Sequence, residues 1–175
     1  YDFFHLSASQ IGVMIADVSG KGTSAALYMA ELKGIMLALS RAERSPRNVL
    51  IELNRLLAAH LDNRSFITMT YAVVDLERRV VTVARAGHTP LIRAAGGTAD
   101  LVQPDGIVLG LRLPGAEAKF AEVLREVELP IVPGDVLVLY TDGISDATDT
   151  GGELFGDERL AQLVKVHADL GAGGI

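Results

Sequence analysis

IGVMIADVSGKGTSAALYMA, residues 11–30, reads as a strand, a tight turn and a helix in immediate succession. Ile11, Val13 and Ile15 alternate with Gly12, Met14 and Ala16, the period of two that a strand requires. Asp17 ends the strand. Val18-Ser19-Gly20-Lys21-Gly22 forms a glycine-bracketed turn, and a helix is expected to open at Thr23 or Ser24, both good N-cap residues. A carboxylate at the end of a buried strand, beside a loop that only glycine can shape, is a place to hold a cation or a phosphate. The plainer reading of Gly20 and Gly22 is a turn whose glycines only permit the backbone path.

The arrangement recurs near the other end of the chain. GDVLVLYT, residues 134–141, is an apolar strand that runs into Asp142-Gly143. Acids at strand ends are more often turn or cap residues than ligands. Two of them, each ending a core strand and each followed by a glycine-containing turn, can converge on one cation site. Oxygen ligands suit magnesium and manganese.

Between these poles the chain alternates helix and strand signals. Asp2 to Ser7 reads as a strand, joined to the next by Ala8-Ser9-Gln10. Ala25, Met29, Leu32, Met36 and Leu39 mark a helical face. Ser45-Pro46 starts a second helix, expected to run to about Leu61. Strands follow at Phe66 to Val74, Val80 to Ala86, Leu91 to Ala94 and Asp100 to Val102. After a Pro/Gly-rich loop, Lys119 to Leu129 reads as a long strand, and Gly156 to Asp169 as a closing helix. Hairpin-length turns predict antiparallel sheets. Strands apolar on both faces predict two packed sheets with helices outside, the helix pair at 23–61 covering one outer face.

Composition narrows the function classes. A chain of 175 residues is read as a single domain, 1–175, with room for a core. The net charge of −6 argues against nucleic-acid binding. No apolar run is long enough to span a bilayer, so no membrane insertion is expected. With no cysteine, thiolate zinc sites, disulfides and cysteine nucleophiles are excluded, and a cytoplasmic location fits. No secretory leader is visible. The opening at Tyr1 without methionine, and the close in Gly171-Ala-Gly-Gly-Ile175, read as a domain cut at both ends, with flanking pieces expected.

Nucleotide-binding patterns fail. A P-loop needs glycine where Ile15 stands, and serine or threonine where Gly22 stands. A dinucleotide fingerprint lacks its third glycine and its parallel sheet. His88, in Ala86-Gly87-His88-Thr89-Pro90, is a candidate general acid or ligand. The favoured reading is a histidine that fixes a strand corner by bonding to backbone. His5, His60 and His167 show no partner pattern, and no serine or threonine sits in a nucleophile elbow.

Four stretches, ADVSGKGTSAALYMA (16–30), RAGHTPLIR (85–93), GIVLGL (106–111) and GDVLVLYTDGISDATDTGGELFGDERL (134–160), resemble in order and spacing the bacterial PPM-type serine/threonine phosphatases of the SpoIIE/RsbU group. The resemblance implies an α+β fold, an αββα sandwich of two antiparallel sheets flanked by helices. It implies two manganese or magnesium ions, with Asp17 bridging them, the Val18 carbonyl as a further ligand and Asp142 holding one. Asp17 and Asp142 would then be the catalytic pair, acting through a metal-bridging water. Asp2, Gly20, Lys21, Gly22 and Gly143 would support them from outside the ligand set.

The family's first strand reads Gly-Gly-Asp-Tyr-Tyr-Asp, and its first aspartate is a ligand. Tyr1 matches the second tyrosine and Asp2 the second aspartate. A further ligand aspartate of the family lies beyond residue 175. Two of the usual four carboxylates are therefore in this sequence, from which one ion or none, and low activity, are expected. The partner implied is a phosphorylated STAS-domain anti-anti-sigma protein. An upstream sensor domain would act through the helix pair at 23–61, and a homodimer is left open. The competing reading is a catalytically silent binding module of the same fold.

Overall fold

The computed structural model describes residues 1–174. In chain order the elements are β1 (Asp2–His5), β2 (Gln10–Val18), α1 (Thr23–Ala42), α2 (Pro46–Leu57), β3 (Ile67–Asp75), β4 (Val80–Ala86), β5 (Leu91–Ala95), β6 (Thr98–Val102), α3 (Ala116–Val123), β7 (Glu126–Pro130), β8 (Val136–Val138), α4 (Asp142–Ser145) and α5 (Asp157–His167), with a 3-10 turn at Ala168–Leu170. They form two compact units. One holds Tyr1–His88 and Pro104–Pro130; the other holds Thr89–Gln103 and the described residues from Ile131 onward.

The first unit is built on an antiparallel sheet in the order β1-β2-β3-β4-β7. Period-two alternation sends Met14, Ala16 and Val18 of β2 into one core with Leu32 and Met36 of α1 and Leu50, Leu53 and Leu57 of α2. The opposite face carries Ile15, Thr70, Ala72, Val81 and Val83, which are also buried. That double burial explains why these strands are apolar on both sides. Asp17 shares the face of Ile15, away from the two helices. At the start of α2 the Ser45 side chain accepts from the Asn48 amide at 3.1 Å, and Pro46 is the first helical residue. Both signals were legible in the sequence.

The second unit is a smaller antiparallel sheet in the order β6-β5-β8. Ala161 and Val164 of α5 pack against Ile92, Ala94 and Tyr140. No described helix is long and apolar enough to cross a membrane.

Several boundaries differ from expectation. Lys119 to Leu129 is not one strand but the end of α3 followed by β7. Phe120 and Leu124, four apart and both buried, take the helical spacing. Arg47 of α2 fixes the helix end, its Nε donating to the Leu124 carbonyl at 2.8 Å. The second helix stops at Leu57; Leu61 is buried beyond it and packs under Gly110. α1 opens at Thr23, as expected, but its N-cap is Gly22, with no side-chain cap bond. The apolar run before Asp142 is strand only over Val136–Val138, and Asp142-Gly143 opens a single helical turn.

Candidate functional site

Asp17 is the penultimate residue of β2 and stands directly opposite Thr68 of β3. It is exposed, and its carboxylate makes no hydrogen bond or ion pair among the described residues. Its carbonyl lies 3.5 Å from the Thr68 hydroxyl. Val18 follows, opposite Ile67. The ladder is fastened just beyond, where the Ser19 amide donates to the Phe66 carbonyl at 2.9 Å and the Phe66 amide donates to Ser19 Oγ at 2.8 Å. Gly20 and Gly22 then take φ of 90° and 88° with open space around both. Their glycines answer a backbone requirement rather than close packing. Lys21 between them is exposed and unpaired among the described residues.

The motif GIVLGL, given no role by sequence reasoning, clamps the other side of β3. Leu109 and Ile67 exchange two backbone hydrogen bonds of 2.8 and 3.1 Å. The Gly110 amide donates to Oδ1 of buried Asn54 on α2 at 2.9 Å. Arg112 Nε and Nη2 donate to the carbonyls of Ala58 and Ala59 at 2.9 and 2.7 Å, satisfying groups the end of α2 leaves open. A side chain at Gly106 would stand 1.9 Å from the Arg85 carbonyl oxygen. Asn54, Thr68, Arg85 and Arg112 were not singled out from the sequence. Of these only Arg85 lies in one of the four stretches that carry the family resemblance.

His88 lies at the corner after β4 and is 5% exposed. Its Nδ1 is 2.9 Å from the Thr68 hydroxyl, so the ring engages a side chain of β3. Arg85 holds the corner's backbone, Nη1 donating to the His88 carbonyl at 2.6 Å and Nε to the Pro104 carbonyl at 3.2 Å. Burial lowers the Arg85 pKa. His60, which showed no partner pattern in the sequence, pairs with Glu31 of α1.

Asp2 is on a different side of the sheet from Asp17. It stands opposite Met14, on the helix-covered face, and pairs with Lys33 of α1 at 3.0 Å. The Lys33 ammonium, with the Phe3 amide, holds its carboxyl below the ordinary value. The structure does not bring Asp2 to Asp17.

In the second unit Asp142 is the first residue of α4, with Thr141 as N-cap. It too is exposed, with a carboxylate unpaired among the described residues. Its carbonyl accepts from the Asp146 amide at 2.7 Å. Gly143 takes an ordinary helical conformation. The segment is fastened on both flanks. Tyr140 Oη donates to Asp157 Oδ1 at 2.7 Å, and Thr89 Oγ1 donates to the Tyr140 carbonyl. Burial, then the Asp157 carboxylate, pushes the Tyr140 phenol pKa up. Beyond α4 the Phe155 amide donates to Ala147 and the Gly156 amide to Ser145, closing a small loop.

Asp17 in the first unit and Asp142 in the second each fit a hard divalent cation in kind. Asp17 and Asp142 offer unspent carboxylate oxygens, and magnesium is commonly held by one or two carboxylates, with waters and substrate phosphates completing its shell. Among the described residues no group of three or more histidines or acids gathers to hold a metal by itself. The donor set among the described residues is therefore sparse.

The SpoIIE family model, Stage II sporulation protein E, matches residues 7–175. The chain is 32% identical over 170 residues to the phosphoserine phosphatase RsbU of Bacillus subtilis, covering 95% of this chain and 48% of that protein. It is 28% identical over 178 residues to the phosphoserine phosphatase RsbP of the same organism, covering 97% and 40%. The chain thus spans about half the length, or less, of the curated relatives it matches. Among solved structures, the SiaA-PP2C domain of Pseudomonas aeruginosa superposes with a TM-score of 0.78 at 24% identity, covering 96% of this chain and 65% of that one. The RsbU and RsbW domains of a Mycobacterium tuberculosis protein give 0.76 at 21%, covering 95% and 45%. At such identities the likeness shows the fold, two antiparallel sheets flanked by helices, as the sequence resemblance implied. With the family model matched over nearly its whole length, the chain belongs to the SpoIIE family and has the PPM-type phosphatase fold.

Proposed function

We propose that this domain is a metal-dependent phosphoserine/phosphothreonine protein phosphatase. The observation that carries the reading is Asp17, an exposed and unpaired carboxylate held at the end of a buried strand. Asp17, the Val18 carbonyl and Asp142 would hold manganese or magnesium. The cations, when bound, supply charge neutralisation for the phosphate and acidity for the attacking water. The chain's own part is positional. The β2–β3 ladder sets Asp17, and the bonds around Tyr140 and Thr141 set Asp142. Lys21 and the uncapped N-terminus of α1 add positive potential beside Asp17, suited to a phosphoryl group.

The β1–β2 register adds support. Asp2 pairs with Met14, so each step back along β1 is a step forward along β2. In a longer chain with the family's Gly-Gly-Asp-Tyr-Tyr-Asp, the first aspartate would stand opposite Asp17.

The substrate we infer is a phosphorylated STAS-type anti-anti-sigma protein in a cytoplasmic partner-switching pathway, under an upstream sensor. Support comes from the sequence motifs and from the relatives, two of which are named phosphoserine phosphatases. The sparse donor set favours a second reading, a binding module of the same fold without turnover.

Manganese-dependent hydrolysis of p-nitrophenyl phosphate and of a phosphoserine protein separates the two. Turnover by the intact protein, lost in Asp17→Asn and in Asp142→Asn, supports the phosphatase. A folded protein that binds the phosphorylated partner but never releases phosphate supports the silent module.

A further inference from the structure

The phosphatase reading assigns nothing to His88 or Thr68. His88 is one of the few buried polar residues of the first unit, and its placement is fixed several times over. Gly87 before it takes φ of 65°, and a side chain there would meet Val108 at 2.6 Å. Arg85 grips the His88 carbonyl from behind. From this corner the ring reaches Thr68 at 2.9 Å. Thr68 is only half-buried, and water could satisfy its hydroxyl. The bond to His88 therefore selects a rotamer rather than rescuing a stranded group.

That rotamer matters because Thr68 is the cross-strand partner of Asp17. Directly opposed residues of an antiparallel pair share a face, so the Thr68 side chain stands beside that of Asp17. The named ladder ends one rung later, at Val18 and Ile67. Ends of strands fray unless something holds them. We propose that His88 and Thr68 are positioning residues: the buried ring fixes the Thr68 hydroxyl, and Thr68 fixes the end of β2 that carries Asp17. The inference rests on Asp17 being a ligand only for its consequence in metal binding; the holding of the strand end stands apart from it.

The test compares Thr68→Val, which keeps shape and removes the hydroxyl, with Thr68→Ser, which keeps the hydroxyl. His88→Phe is compared with His88→Asn, whose side-chain amide can occupy the place of Nδ1. Two quantities are read in the intact protein. One is hydrogen exchange, without metal, of the Ser19 amide that donates to Phe66. The other is manganese affinity by calorimetry, with Asp17→Asn as the control.

Thr68→Val and His88→Phe should speed Ser19 exchange and weaken manganese binding by about tenfold, the lower range for partners that orient a ligand. Thr68→Ser and His88→Asn should recover most of both. Ser19 exchange in Thr68→Val equal to that of the unsubstituted protein overturns the proposal, whatever the metal does. Faster exchange with manganese affinity untouched by Asp17→Asn supports the positioning and rejects the metal role of Asp17.

Discussion

At the end of β2, Asp17 belongs to a nine-residue strand paired along its whole length with β3. Asp142 follows a strand of only three residues, and three non-strand residues intervene before it opens α4. One acid is set by a backbone ladder, with Thr68 opposite and the Leu109 bridge on the next rung. The other is set by side chains, through Tyr140 to Asp157 and Thr89 to Tyr140. In sequence the two look alike, an apolar run, an aspartate and a nearby glycine. A ladder distributes the constraint over many bonds, whereas a few side-chain bonds concentrate it. The two carboxylates should therefore respond differently to damage.

The largest effect should come from the acids themselves. Asp17→Asn and Asp142→Asn should each bring phosphate release to background. Because neither carboxylate has a partner among the described residues, stability should move by no more than about 0.5 kcal/mol in urea unfolding. A marked loss of stability in either would mean that the acid is a structural cap.

Next in size is Gly106→Ala. Its new carbon would stand 1.9 Å from a backbone oxygen of β4, which has no rotamer to change. A loss of about 3 kcal/mol is expected, the upper range for overpacking. Exchange near Ile67 and Leu109 should quicken while the amides of α4 stay as they were. Equal quickening in both regions would mean that the two acids are not held independently.

Tyr140→Phe makes the opposite cut. Losing a bond to a carboxylate should cost about 1.5 kcal/mol. The Asp146 amide of the Asp142 turn should exchange faster, with Ser19 unmoved.

The smallest effect concerns pH. The Arg78 amide, followed by the Gln10 side chain, holds the Asp75 carboxyl at the β3–β4 turn below its ordinary value. Its ionised form therefore favours the folded state. That contribution is complete above the ordinary carboxylate pKa of about 4 and is lost as pH falls from there through the depressed native value. Asp75→Asn should flatten the acid side of a Tm-against-pH curve and leave neutral pH nearly unchanged. An acid limb as steep as before would assign the loss to other carboxylates.

Much of the architecture was readable because local patterns and burial agreed. β2 alternates, Ser45-Pro46 caps a helix, and the turn at Gly20 to Gly22 needs positive φ. Asp17 and Asp142 were singled out the same way, as acids closing apolar runs. The misreadings fell where local patterns were ambiguous. Residues 119–129 mix good helix formers with valine and leucine, and packing of Phe120 and Leu124 beneath Arg47 settles their conformation. Asp2 matched a family motif, yet strand parity puts it on the helix side with Lys33.

By itself the sequence determined the strand–turn–helix core, the antiparallel class and the family, because each rests on period, turn chemistry or short contiguous motifs. Tertiary structure alone decided that Thr68 faces Asp17 and that His88 reaches Thr68. Those meetings join residues far apart in the chain, and they depend on strand register and on a glycine corner. A one-residue slip in either strand would turn the same side chains to the other face.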